Sequence, residues 1–147
     1  MKRLTLTGAI AAALLVGVPA AIAVPTASQY KTQVNAICKA GLVRLNAIAE
    51  PSSPKDYATY ADKQATVGYD LLLKILAVKP PVALQPLVLK AAKPQGQAVD
   101  ALLILRETIK KGGDSQKSLD AALPKINALT AQADAAWKAA GLTACAA

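Results

Sequence analysis

Apolar residues recur along this chain at spacings of three and four, the repeat of one helix face, and four stretches carry the pattern. In the first, Tyr30, Val34, Ile37, Gly41, Leu45 and Ile48 share a face behind Thr26-Ala27-Ser28-Gln29, which has the S/T-x-x-Q form of a capping box. The spacing predicts a helix over 27–49, stopped by Pro51. Ser53-Pro54-Lys55-Asp56 is a second start signal, with proline at the first helical position and a carboxylate in the first turn. The helix behind it turns Tyr57, Ala61, Gln64, Gly68, Leu71, Leu72 and Ile75 inward and ends at Lys79-Pro80-Pro81.

The third stretch sets Leu84, Val88, Ala91, Gln95, Ala98, Leu102, Leu105 and Ile109 in an unbroken rhythm that ends at Lys110-Lys111-Gly112-Gly113. Pro94 lies inside it and is expected to bend the helix or split off a short first piece, because proline lacks the N–H and crowds the carbonyl one turn back. Asp114 or Ser115 caps the fourth stretch, where Leu119, Leu123, Ile126, Leu129, Ala133, Ala136, Trp137 and Ala140 share a face and Pro124 repeats the role of Pro94. Gly141 followed by Leu142 reads as a left-handed helix end with its hydrophobic contact. No stretch shows the period of two that strands need, and the short turns favour antiparallel neighbours. The expected fold is therefore all-α: an antiparallel up-down-up-down four-helix bundle whose third and fourth helices bend at Pro94 and Pro124.

The N-terminus departs from this pattern. Met1-Lys2-Arg3 is basic, Leu4 to Val18 is an apolar run, and Pro19 precedes Ala21-Ile22-Ala23, the order of a secretory signal cleaved after Ala23. The apolar run of about 15 residues falls short of the roughly 20 that span a bilayer. Residues 1–23 are read as the signal and 24–147 as one bundle domain, with no transmembrane span left after cleavage. No cysteine follows the small residues, so no lipid anchor is expected.

Export places the only two cysteines, Cys38 and Cys145, in an oxidising compartment, where one disulfide is the economical reading. A redox or metal-binding thiol would need a C-x-x-C or Cys/His cluster, and the chain has neither. The bridge closes a loop of about 107 residues, for which chain entropy gives on the order of 4–5 kcal/mol. It also tests helix parity. With four antiparallel helices the end of the last returns to where the first begins, within reach of Cys38.

Composition narrows the chemistry. The 147 residues include no His, so most general-base, nucleophile-activating and metal-binding schemes lack their central side chain. Among the nine carboxylates Asp56, Asp114 and Asp120 fall near helix starts, where capping and the helix dipole account for them, and no spacing forces two together. Ser28, Ser52, Ser53, Ser115 and Ser118 all fall in caps or turns without a base. No catalytic, cofactor-binding or metal-ligating residue is expected, and no haem on a tyrosine unsupported by His. The candidates for ligand or partner contact are the aromatics Tyr30, Tyr57, Tyr60, Tyr69 and Trp137. Amphipathic tyrosine rings also seal bundle ends, and Trp137 is placed to pack under the disulfide.

The net charge is +8, or +6 once residues 1–23 are removed. The lysines are dispersed or sit in last turns, and no basic-aromatic strip appears, which argues against nucleic acid. Long-range attraction to anionic envelope polymers or lipid head groups, or a protein partner, fits the charge better.

One resemblance adds to this reading. Tyr30 eight residues before Cys38 in Asn35-Ala36-Ile37-Cys38-Lys39-Ala40, the Leu76-Ala77-Val78-Lys79-Pro80-Pro81 turn, Gly112-Gly113-Asp114 and Ala139-Ala140-Gly141-Leu142-Thr143-Ala144-Cys145 resemble a group of small exported actinobacterial proteins of unknown function. The resemblance spans the chain after the signal and implies a disulfide-closed helical bundle, with no catalytic residues to carry over. The sequence therefore predicts a secreted, non-enzymatic binding or interaction module, monomeric or weakly self-associating. The alternative is a carrier of a small apolar ligand, in a bundle cavity opened by the two proline bends.

Overall fold

In the computed structural model the Thr26 hydroxyl accepts the Gln29 N–H at 3.2 Å, and the Gln29 side chain accepts the Thr26 N–H at 2.9 Å. This capping box starts α1, Ala27–Asn46. The structure describes residues 24–146, so the predicted export signal, 1–23, lies outside the described residues. Helix α1 stops at Asn46, three residues before the expected end. The N–H groups of Ala47 and Ile48 fold back onto the Val43 and Leu45 carbonyls, and the helix has ended by the time the chain meets Pro51, which disfavours helical geometry in the residue before it.

The second start signal gives a 3-10 turn, Pro54–Asp56, that leads into α2, Tyr57–Ala77. Here the Ser52 and Ser53 hydroxyls and the Ser53 N–H all donate to Asp56, at 2.9–3.1 Å. The Ser53 hydroxyl, then that of Ser52, hold the Asp56 carboxyl below its usual range. Pro80 and Pro81 separate α2 from the 3-10 turn Val82–Leu84 and from α3, Gln85–Lys110. Asp114 accepts the Lys117 N–H at 2.7 Å and caps α4, Ser115–Ala139. Gly141 then turns the chain with φ 72° into a last 3-10 turn, Thr143–Cys145. Pro94 and Pro124 both lie inside helices that continue through them. No short piece splits off at Pro94; the separate segment is the turn ahead of α3. Among the described residues there is no strand, and no helix is long and apolar enough to cross a membrane.

Helices consecutive in sequence pack on one another: α1 on α2, α2 on α3, α3 on α4. Close approach depends on missing side chains. A Cβ at Gly41 would come within 2.8 Å of Leu71, and one at Gly68 within 3.0 Å of Val99. Outside this packing, Arg44 of α1 and Lys74 reach Asp70 in exposed pairs that contribute little net stability, and Arg106 of α3 reaches Asp62 in a part-buried one. Hydrogen bonds from Arg44 and from Arg106 hold Asp70 and Asp62, respectively, below the usual carboxylate range.

The first and fourth helices differ from these pairs in making almost no direct contact. Their link is the C-terminal turn. Cys145 is disulfide-bonded to Cys38, and the Ala144 N–H donates to the Asn35 side chain at 3.0 Å. The core gathers at this end, where Tyr30, Val34, Cys38, Ile75, Val88, Trp137 and Leu142 are nearly or wholly sealed from solvent. Away from it the packing thins. Leu119, Ile126 and Leu129 of α4, expected to share the buried face with Trp137, are only half-buried, and Leu123 is exposed. Periodicity placed them on one side of α4, but α1 does not lie against that side.

Tyr30 carries the one buried side-chain polar atom without a partner among the described residues. Its hydroxyl stays neutral to higher pH than a free phenol because burial penalises the phenolate. Replacing a lone buried hydroxyl by hydrogen removes a desolvation cost. Tyr30→Phe is therefore expected to stabilise the protein by about 1 kcal/mol. A urea titration showing a loss of that size instead would mean that the hydroxyl has an acceptor.

Candidate functional site

Because α1 and α4 stand apart, a cleft of about 590 Å³ opens between them, within the range of small-molecule sites. One wall is α1, through Cys38, Leu42, Leu45 and Asn46, continued by Ile48 and Glu50 beyond the helix end. The other is α4, through Ile126, Thr130, Ala133, Asp134 and Trp137. The floor comes from Tyr60, Gln64, Gly68 and Leu71 of α2 and Gln95, Ala98, Val99 and Leu102 of α3. Ala144 and Cys145 close the end nearest the disulfide.

Polar side chains are interspersed with apolar ones along its lining. The Trp137 indole N–H donates to the Gln95 carbonyl oxygen at 2.7 Å, which fixes the glutamine and leaves its amide hydrogens free to donate. Tyr60, Gln64 and Thr130 make no side-chain hydrogen bond through their cleft-side polar ends among the described residues. Such groups can orient a ligand. They do not form a nucleophile paired with a base. Among the described residues no three His, Cys, Asp or Glu side chains gather as a metal ion would require.

The five aromatic candidates separate. Trp137 and Tyr60 line the cleft, Trp137 fully buried and Tyr60 half-buried. Tyr30 is sealed in the core at the disulfide end, Tyr57 is half-buried away from the cleft, and Tyr69 is 57% exposed on the outer side of α2. The four tyrosines thus do not share a pocket. The disulfide forms as expected, and Trp137 packs in the same core cluster as Cys38.

Sequence reasoning passed over Gln64, Gln95, Thr130, Glu50 and Asp134 as site residues. A signal for two of them was present. Gln64 and Gln95 occupy registers that the three-four rhythm reserves for apolar side chains, and a polar residue there needs a partner or open space. Gln95 has the indole, and both face the cleft.

Compared with protein-family models, with curated proteins and with solved structures, the chain finds no match. Its function is read from its own geometry.

Proposed function

We propose that this protein is an extracytoplasmic binding module that receives a small molecule with an apolar body in the cleft between α1 and α4. The observation that carries the reading is the cleft itself: about 590 Å³, lined by apolar side chains interspersed with hydrogen-bonding groups, with a fixed indole at its base. An antiparallel up-down-up-down arrangement, with α3 and α4 curving at Pro94 and Pro124, is the bundle this reading calls for. The order of helix packing and the short connections support it. The disulfide is consistent with an oxidising compartment, and with the basic, apolar, small-residue order of residues 1–23 it supports export.

Nile red, a neutral dye that fluoresces in apolar surroundings, tests the reading. Saturable binding at one site per chain is expected. Thr130→Phe should weaken it about tenfold or more by filling the cleft from an exposed position that folding does not depend on. Dye binding that never saturates, or that ignores the substitution, would count against the cleft as the site.

A further inference from the structure

The cleft's charged residues are all of one sign, opposite to that of the protein. The chain carries a net charge of +8, yet among the described residues the only carboxylates or cations lining the cleft are Glu50 and Asp134. Each of four shallower grooves on the surface has at least one lysine or arginine: Lys117 in one, Lys93 in another, Arg44 and Lys111 in the remaining two.

The two carboxylates are also unusual in lacking partners. Of the nine Asp and Glu, six are engaged by a cation, a hydroxyl, an amide or a helix N–H. Glu50, Asp134 and Asp100 are the three without such a contact among the described residues, and two of these three face the cleft. In a chain with 17 Lys and Arg, cations to neutralise them are not scarce. They are simply placed elsewhere.

A third contribution comes from the backbone. Helix α1 ends at the cleft, where Leu45 and Asn46 line it, so its partly negative C-terminus faces the same space. Arg44, the basic residue of that last turn, is turned away to Asp70 on α2. The Ala47 and Ile48 N–H groups take up the Val43 and Leu45 carbonyls, but among the described residues no cation lines the cleft beside this helix end.

We infer that the cleft selects an amphiphile with an apolar body and a cationic head, an alkylammonium being the simplest example. The inference rests on the cleft reading above and adds the sign of the ligand. The apolar body lies along the half-buried Leu42, Leu45, Leu102 and Ile126, and the ammonium pairs with a carboxylate of the cleft, Glu50 or Asp134. Charge-assisted hydrogen bonds of this kind are the strong ones.

Dodecylammonium and dodecanoate below their micelle concentrations, and dodecanol below its solubility limit, separate the possibilities in calorimetric titration. The fluorescence of Trp137, the single tryptophan, reports whether the cleft is occupied. The ammonium is expected to bind about tenfold more tightly than the alcohol, and the carboxylate more weakly than either, against the overall charge of the protein. Glu50→Gln with Asp134→Asn should abolish the preference for the ammonium over the alcohol. Dodecanoate binding as tightly as dodecylammonium, or a preference that survives the double substitution, overturns the inference and leaves the cleft reading standing. If none of the three binds, both fail.

Discussion

Serine at both Cys38 and Cys145 is expected to lower the free energy of unfolding by about 4 kcal/mol, the entropy of leaving so long a loop open in the unfolded chain. For a domain of this size that is a fall in melting temperature of roughly 10–25 °C. The effect should reach the cleft as well as the melt. The C-terminal turn is the main link between α1 and α4, and without the bridge it keeps only the Asn35 to Ala144 hydrogen bond and the packing of Leu142. Reduction of the intact protein should therefore shift Trp137 emission toward that of a solvated indole well below the melting temperature. Superimposable melts with and without reductant would show that the bridge constrains nothing, and unchanged emission would show that α1 is held by other means.

The second large effect belongs to Trp137. It is the largest fully buried side chain, and it joins the core cluster to the cleft floor. Trp137→Ala removes its packing and leaves the Gln95 oxygen without a donor, at an expected cost of about 3–5 kcal/mol. Trp137→Phe separates the two contributions. It keeps most of the apolar contact and loses the indole N–H, so its cost should be closer to 1–2 kcal/mol. Chemical denaturation of both variants checks the ranking. An alanine variant within about 1 kcal/mol of the parent would mean that the surrounding helices close over the gap.

The helices were legible in the sequence because their signals are local. The Thr26 capping box, the Asp114 cap, the Gly141 reversal and the Pro80-Pro81 break each act within one turn of chain, and each appears where expected. The third rhythm is similarly faithful, with Leu84, Val88, Ala91, Ala98 and Leu105 buried. What a helical repeat does not encode is whether another helix occupies the space in front of it. Leu119, Leu123, Ile126 and Leu129 therefore looked like core residues and instead border open space or lie partly exposed. The same gap explains the tyrosines. Tyr69 sits one position past the inward Gly68, and a shift of that size carries its ring to the outer side of α2. The cleft is a property of the α1–α4 spacing, which no single stretch contains. Its marks in advance were the aromatic candidates Tyr60 and Trp137 and the misplaced glutamines, Gln64 and Gln95.

The way α1 is attached has a consequence for the order of assembly. The α2–α3 and α3–α4 neighbours are close in sequence and pack extensively, so they can form as soon as each pair of helices exists. The cysteine that secures α1 on its far side lies 107 residues away and follows all four helices. Until Cys145 arrives, α1 is held on one side only, by α2. Closing the bridge thus depends on the last residues of the chain, and it ties α1 to the α4 side of the cleft.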